Sequence, residues 1–179
     1  MENLTQEKFL NDSELKKLTD FLKKNKSSRD SLLILMAIYT GARCQEILNI
    51  KKSDIKENQI FVRGVKNSNS RSIPVPDYFF KDLLDFVKDL KDDDVLFNIS
   101  SRQVRRIWDL YRPHSHLNFH SLRHTMGVRL YKSCNDIHLV KTILGHKSIS
   151  NTMIYMNYVE STKQLKEKLS KIWSVKNAS

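Results

Sequence analysis

The sequence predicts a mainly helical α+β fold with one small antiparallel β-sheet near the N-terminal third of the chain. Apolar residues recur every three or four positions over most of the chain, which is the spacing of amphipathic helices. The period changes to short β-branched runs at residues 60–63 and 72–75, on either side of a polar segment at 66–71. With 4 Gly, 3 Pro and no Ser/Gly linker or repeat, the 179 residues predict one compact unit.

Three helices are predicted before the sheet. The first begins at a polar cap within residues 11–13. Its apolar stripe consists of Leu15, Leu18, Phe21 and Leu22. The second begins at residues 28–29 and is apolar on all sides over residues 32–39, which predicts a position at the centre of the domain. Gly41 ends it, and a short helix over residues 43–48 follows.

Helical periodicity also dominates the segment after the sheet. Pro74 confines its strand to a sheet edge, because proline cannot donate a ladder hydrogen bond. The next helix begins at Asp77, and the acidic residues 92–94 after it are interpreted as a solvated loop. Its apolar face is predicted to carry Phe80, Leu83, Leu84, Val87 and Leu90. Two further helices are marked by Val104, Ile107 and Trp108 and by Leu122, Met126, Val128 and Leu130.

Three shorter helices complete the predicted order. Residues 135–136 supply the cap of the first, and Gly145 ends it. Ser150 is expected to cap a short helix that contains Tyr155. An amphipathic segment at residues 160–173 forms the last helix.

The chain is strongly basic, with 31 Lys and Arg against 20 Asp and Glu, a net charge of +11 and a pI near 9.6. Such an excess indicates a polyanionic partner, with a solvated basic surface as the alternative. An apolar content of 40% excludes intrinsic disorder, and the longest apolar run, 8 residues at 32–39, is too short to span a bilayer. No signal peptide is recognisable, so we expect a cytoplasmic protein with Cys44 and Cys134 reduced.

One group of residues indicates which chemistry the chain performs. His120 and Arg123 are three residues apart at a predicted helix start, so they project to one side and can bind one anion, such as a phosphodiester. His146 follows Gly145, and Tyr155 lies nine positions beyond His146. An isolated tyrosine is usually a packing residue. Together, however, these side chains supply a phenol nucleophile, donors for the phosphate oxygens and groups that handle protons.

These residues resemble the catalytic domain of the tyrosine recombinases, the phage-integrase family. The first family box, Thr-Gly-hydrophobic-Arg with Glu three residues later, is matched by residues 40–46. The second box, His-x-Leu-Arg-His-Thr, is matched by residues 120–125. Residues 144–146 read Leu-Gly-His, and residues 154–155 supply the Ile-Tyr pair of the nucleophile. The resemblance covers residues 9–158, which is most of the chain.

The resemblance implies a role for each of these side chains. Arg43 and Arg123 bind the scissile phosphate, and His146 donates a further hydrogen bond to it. Tyr155 attacks the phosphorus and forms a 3′-phosphotyrosyl bond, which frees a 5′-hydroxyl. His120 accepts the proton of the tyrosine or holds the phosphate.

A further catalytic residue of the family is a lysine in a β-hairpin, usually within Gly-Lys-Gly. Anchoring on the strand at residues 71–74 places Lys66 at this position, although Val65 and Asn67 stand where the family has glycines. Lys66 is then expected to act as the general acid that protonates the leaving 5′-oxygen. The phosphotyrosyl bond conserves the bond energy, so the resemblance implies no metal, ATP or other cofactor.

Two residues of the boxes are expected to support the site. Glu46 is expected to fix the orientation of Arg43, one helical turn earlier. His124 is interpreted as a structural residue that fills a hydrogen-bond site on the core side. Tyr158 is the rival nucleophile, but its spacing from the Leu-Gly-His element favours Tyr155.

The implied partner is double-stranded DNA, on which family members exchange strands through a Holliday junction. A tetrameric homo-oligomer on DNA, nucleoid association and an accessory DNA-bending protein follow as expectations. Residues 160–173 either dock on a neighbouring subunit or pack on their own domain. Type IB topoisomerases and telomere resolvases share the attack chemistry, and a catalytically inactive DNA-binding regulator is the alternative of another class.

Most family members carry an additional helical domain before the catalytic one, and together the two clamp DNA. Here residues 9–14 already correspond to the first catalytic-domain helix, so this N-terminal core-binding domain is expected to be absent. The 179 residues are then a single catalytic domain, either truncated or naturally alone, with a core at 9–158. Lys51 and Lys52 are expected to contact neighbouring DNA phosphates.

Overall fold

The structure is a computed structural model that describes residues 6–25, 28–159 and 169–170. Most of the predicted helix at 160–173 and the side chain of Tyr158 therefore lie outside the described part. The helices are α1 (Asp12–Lys24), α2 (Arg29–Thr40), α3 (Cys44–Leu48), α4 (Asp77–Val87), α5 (Ser101–Tyr111), α6 (His120–Cys134), α7 (Ile137–Leu144) and α8 (Met153–Val159). The strands are β1 (Ile55–Lys56), β2 (Gln59–Val62) and β3 (Arg71–Pro74).

The first two helices begin and end at the predicted signals. Asn11 caps α1, because its side-chain oxygen accepts a hydrogen bond from the Glu14 amide at 2.9 Å while the Glu14 carboxylate accepts one from the Asn11 amide at 2.9 Å. Helix α2 is buried along almost its whole length and ends at Gly41, which has a left-handed φ of 58°. A side chain on Gly41 would also lie 2.8 Å from Leu144, so the close approach of α7 requires glycine here.

The sheet is antiparallel in the order β1-β2-β3, with Ile60 opposite Ile73 in the central pair. Strand β3 is an edge strand, so the predicted edge position of Pro74 is confirmed. Strand β1 was not predicted from the sequence, because two residues are too short to show a period-2 pattern.

Two local predictions need correction. On the predicted apolar face of α4, Leu83 and Val87 are buried and Phe80 and Leu90 pack partly against the core, but Leu84 is 44% exposed and the unpredicted Phe79 is buried. Residues spaced four apart share one narrow face, and the predicted stripe was wider than the core that it meets. Ser150 does not cap the helix of Tyr155. Instead, Ser148 accepts a hydrogen bond from the Ser150 amide at the start of a 3-10 turn over 149–151, before α8 begins.

The acidic loop at 92–94 is exposed, as predicted, and this loop and the residues just before it bind the two lysines that precede the sheet. Lys51 Nζ lies 2.8 Å from the carboxylate of Asp93. Lys52 Nζ donates to the carbonyl oxygens of Leu90, at 2.6 Å, and Lys88, at 3.2 Å. The expected contact of both lysines with DNA phosphates stays a prediction.

The core has two clusters that meet at α6. The larger cluster surrounds α2 and includes Leu122 from the first turn of α6. The smaller one packs α6, α7 and α8 together through Val128, Val140 and Tyr155, among others. Helix α6 thus carries side chains from one cluster to the other, and its first turn lies between them. In the described part of the chain, no helix has the length and apolar character needed to cross a membrane.

Candidate active site

A fully buried carboxylate, that of Glu46, organises one side of the candidate site. Arg71 Nη2 lies 3.0 Å from Glu46 Oε2, and Arg43 Nη1 lies 3.4 Å from Glu46 Oε1. The guanidinium of Arg123 is 3.9 Å away. Burial raises the pKa of Glu46, but hydrogen bonds from Arg71, Ser68 and the Arg43 backbone outweigh burial and lower the pKa below its ordinary value. The carboxylate is therefore charged at neutral pH. The expected pairing of Glu46 with Arg43 is present, and Arg71 joins it.

Arg123 is held rigidly below the surface, with 1% of its area exposed. It lies in the first turn of α6, as predicted, and its Nη1 and Nη2 donate to the carbonyl oxygens of Gly41 and Leu144, both at 2.7 Å. The ends of α2 and α7 therefore both bind this side chain. Its Nε is buried and has no hydrogen-bond partner among the residues that the structure describes. Burial and the charge of Arg43 lower the pKa of Arg123 to about 10, so it stays protonated at neutral pH.

The β-hairpin docks on the Leu-Gly-His segment through Ser68. Its Oγ accepts from Arg43 Nη1 at 2.8 Å and donates to the carbonyl oxygen of Gly145 at 3.1 Å. Ser68 also forms an isolated antiparallel bridge with His146. The hairpin thereby joins Arg43 to the loop that presents His146.

Lys66 lies at the exposed tip of this hairpin. The Ser68 amide donates to the Val65 carbonyl at 2.9 Å, which closes a turn, and Asn67 takes a left-handed φ of 63° in it. Lys66 makes no hydrogen bond or ion pair with any residue that the structure describes. The structure thus places Lys66 two residues from Ser68 without bringing its Nζ into the cluster.

Tyr155 is sheltered in a fitted slot against α6. Its exposed fraction is 1%, and its hydroxyl lies 3.3 Å from His124 Nδ1. A side chain on Gly127 would lie 2.5 Å from the Tyr155 ring, so this slot requires glycine. Burial raises the pKa of Tyr155 to about 12, against the charges of Arg123 and Arg43, so the phenol is neutral at neutral pH.

His146 covers the other side of this ring. The two rings are nearly parallel, at 5° with centroids 6.5 Å apart, and His146 Nδ1 lies 2.9 Å from the hydroxyl of Thr152. Burial, and then the charges of Arg123 and Arg43, lower the pKa of His146 to about 3. His146 is therefore a neutral hydrogen-bonding group at neutral pH.

His120 and His124 meet on the first turn of α6, edge to face, with ring centroids 4.7 Å apart. Burial of each ring and nearby positive charges lower the pKa of both to about 4, although His120 keeps exposed surface. Within the described chain, His120 has no hydrogen bond to Tyr155, whereas His124 has one.

The site also contains four residues to which sequence analysis gave no role: Ser68, Arg71, Gly127 and Thr152. Arg71 served only as an alignment anchor, yet it is 8% exposed, and its Nε donates to the Ile143 carbonyl at 2.7 Å. A basic residue on a buried face of a predicted strand was the available signal. The other three are small residues whose importance depends on contacts with distant segments.

The fold and this site define the catalytic domain of a tyrosine recombinase. The phage integrase family model matches residues 8–161, and the chain belongs to that family. Tyrosine recombinase XerA of Pyrococcus furiosus is 30% identical over 174 residues, which cover 89% of this chain and 60% of XerA. XerH of Campylobacter jejuni is 31% identical over 183 residues, which cover 91% of this chain and 52% of XerH.

Solved structures agree with this assignment. The crystal structure of XerH site-specific recombinase bound to difH substrate matches with a TM-score of 0.72 and 27% identity, over 97% of this chain and 57% of that one. The crystal structure of XerA recombinase matches with a TM-score of 0.71 and 28% identity, over 92% and 63%. The predicted helical fold with a small antiparallel sheet is therefore confirmed. The chain spans between half and two thirds of the length of these relatives.

Proposed function

We propose that this chain is a DNA strand transferase of the site-specific recombinase and integrase type, with Tyr155 as the nucleophile. The observation that carries the proposal is a neutral, sheltered phenol within the electrostatic influence of two arginines that retain guanidinium donors. A phosphodiester needs such donors where negative charge develops as the nucleophile attacks.

Arg43 and Arg123 bind the scissile phosphate. Among the described residues, Arg123 Nε is buried without a hydrogen-bond partner, and only Nη1 of the Arg43 guanidinium is hydrogen-bonded. Bonds from Arg123 Nη1 and Nη2 to carbonyl oxygens, and from Arg43 Nη1 to Ser68 and Glu46, orient both guanidinium groups before DNA arrives. His146, neutral and 5% exposed, supplies one more donor to the same phosphate.

The attack forms a bond between Tyr155 Oη and phosphorus and breaks the bond to the 5′-oxygen. Lys66, at the hairpin tip, folds over the bound DNA and gives the leaving oxygen a proton. The product is a 3′-phosphotyrosyl bond, and a partner strand's 5′-hydroxyl reverses the step. Because Tyr155 is 1% exposed here, it must move towards the phosphate before it reacts.

Double-stranded DNA is the substrate, which the net charge of +11 and the DNA-bound state of the similar XerH structure support. Strand exchange proceeds through a Holliday junction in a homo-oligomer, which is a tetrameric synapse. Residues 160–173 contribute to it by docking on their own or a neighbouring subunit, and a DNA-bending protein assists. Association with the nucleoid follows from this substrate.

The test uses nicked suicide duplexes with a randomised central sequence, because the target site is not encoded in the chain. The wild-type chain is expected to form covalent protein–DNA adducts that resist denaturation, and the adducts identify the site when sequenced. Tyr155→Phe should abolish them, whereas Tyr158→Phe, the matched control, should retain them. Adducts that persist in Tyr155→Phe and vanish in Tyr158→Phe would overturn the assignment of the nucleophile.

Assays on DNA then distinguish the alternatives that share this chemistry. Exchange between two marked duplexes indicates a recombinase. Relaxation of supercoiled plasmid without exchange indicates a topoisomerase, and hairpin-ended products indicate a telomere resolvase. Binding without any adduct indicates a catalytically inactive regulator.

A further inference from the structure

His124 is the one hydrogen-bond partner of the Tyr155 hydroxyl among the residues that the structure describes, with Nδ1 3.3 Å from Oη. We propose that His124 accepts the proton of Tyr155 as the phenol attacks DNA and returns it when the strand is resealed. This inference rests on the proposed function and assigns a proton acceptor within it. A histidine expected only to fill a structural hydrogen bond thereby becomes a catalytic residue.

The slot around Tyr155 restricts where its proton can go. Gly127 contacts the ring from α6, and the His146 ring covers it at a centroid distance of 6.5 Å. With 1% of Tyr155 exposed, water has little access to its hydroxyl in this position. Among the described residues His146 makes no hydrogen bond to the Tyr155 hydroxyl; its ring lies parallel to the Tyr155 ring, and its Nδ1 bonds Thr152.

The proposal requires the phenol to donate this hydrogen bond and Nδ1 of His124 to accept it. Tyr155 holds its proton at neutral pH and His124 is neutral, so the direction depends on the tautomer of His124. The proposal therefore assigns the ring proton of His124 to Nε2. This tautomer presents a lone pair to the atom that loses a proton.

The groups that face His124 explain why it is a poor base until DNA binds. These groups are His120 and Arg123 on α6, Lys8 at the end of a 3-10 turn before α1, and the neutral Tyr155 on α8. Burial of the ring acts in addition to them. The positive charges among them oppose protonation of the imidazole. A phosphate bound to Arg43 and Arg123 adds a negative charge that offsets them, so the basicity of His124 rises when substrate is present.

The step balances without a further reactant. The O–H bond of Tyr155 breaks and an Nδ1–H bond forms on His124 while Oη bonds to phosphorus. The bond from phosphorus to the 5′-oxygen breaks, and Lys66 protonates that oxygen. In the reverse step Lys66 takes the proton of the attacking 5′-hydroxyl, and His124 returns its own proton to the tyrosine.

The kinetic test compares His124→Gln with wild type on the suicide duplex identified above. Glutamine keeps a hydrogen-bond acceptor but is not a base, so adduct formation should slow by roughly 100-fold or more at neutral pH. Its rate should then rise with pH between about 6 and about 9, because hydroxide must replace the missing base, whereas the wild-type rate stays nearly flat. His138→Gln, an exposed substitution on α7, is the matched control.

A rate for His124→Gln within twofold of wild type, with the same pH profile, would overturn the proposal. If Tyr155→Phe abolishes adducts and His124→Gln does not, the proposed function stands and only the role of His124 fails. If wild type forms no adduct on any duplex, the function fails and His124 loses its role with it.

A second measurement does not depend on cleavage. Nitrogen-15 NMR of the wild-type chain reports which ring nitrogen of His124 carries the proton, with His124→Gln used only to assign the signal. An Nε2–H tautomer whose Nδ1 signal shifts in Tyr155→Phe is expected. An Nδ1–H tautomer cannot accept the phenol proton and would refute the proposal.

Discussion

The two halves of the site are built on opposite physical principles. The arginine half, formed by Arg43, Glu46, Arg71 and Arg123, is a buried ionic network in which one carboxylate meets three guanidinium groups within 3.9 Å. The tyrosine half, formed by His124, His146, Thr152 and Tyr155, is neutral. Single hydrogen bonds of 2.9 and 3.3 Å hold it together.

This difference matches what the proposed function requires of each half. A phosphate site gains most from donors that are fixed before the substrate arrives, and several bonds to each arginine achieve this. The proposed nucleophile must instead shift its hydroxyl towards the phosphorus while staying within reach of His124, and the few hydrogen bonds on the short helix α8 are consistent with such a shift. Under the proposed function the site thus combines a rigid anion-binding half with a half in which the phenol shifts.

Removing the centre of the ionic network should produce the largest loss of stability. Glu46→Ala leaves the buried Arg71 and Arg123 without their carboxylate, which should lower the free energy of unfolding by about 3–5 kcal/mol. Urea denaturation measures this loss. The exposed Asp85→Ala is the control and should change it by less than about 0.5 kcal/mol. A loss below about 1 kcal/mol for Glu46→Ala would contradict the central role of this carboxylate.

Arg71→Met should have the next largest effect, about 2–3 kcal/mol, because it removes charged hydrogen bonds to Glu46 and the bond to the Ile143 carbonyl. Thr152→Val, its counterpart in the tyrosine half, removes one neutral bond and should cost only about 1 kcal/mol. Equal losses in the two variants, measured by the same denaturation, would show that the halves do not differ in rigidity.

The contributions of the two halves to stability should also change over different pH ranges. This effect is expected to be smaller than those of the substitutions above. The folded-state pKa of His146 lies near 3, below its ordinary value of 6.5, so between these values the unfolded chain binds the extra proton. Stability is therefore complete above pH 6.5 and falls with acidification by up to about 1.4 kcal/mol per pH unit. His146→Gln should remove that contribution to the slope.

The carboxylate of Glu46 behaves differently because its pKa is lowered below 4.5, so its stabilisation is lost only when the pH falls further. Denaturation curves collected from about pH 7 to about pH 3 distinguish the two ranges. An unchanged slope in His146→Gln would show that this histidine is not buried in its neutral form.

Much of the fold was predictable because its signals are local. The Asn11 cap, the glycine that ends α2 and the Asp136 cap of α7 act within a few residues; the sequence identified the glycine and narrowed the caps to residues 11–13 and 135–136. The errors at Leu84 and Ser150 arose where a face or a cap depends on what packs nearby. The motif boxes also indicated Arg43, Arg123, His146 and Tyr155, which the structure brings into one cluster.

The sequence by itself determined the residue types, the helical order and the family, because periodicity, caps and motif spacing are written along the chain. Only the tertiary structure decided which groups touch. Arg71 reaches Glu46 across 25 residues, and His124 rather than His120 meets Tyr155, 31 residues away. Such contacts arise from the packing of α6 between the two core clusters, and no local pattern encodes which of two histidines one helical turn apart faces Tyr155.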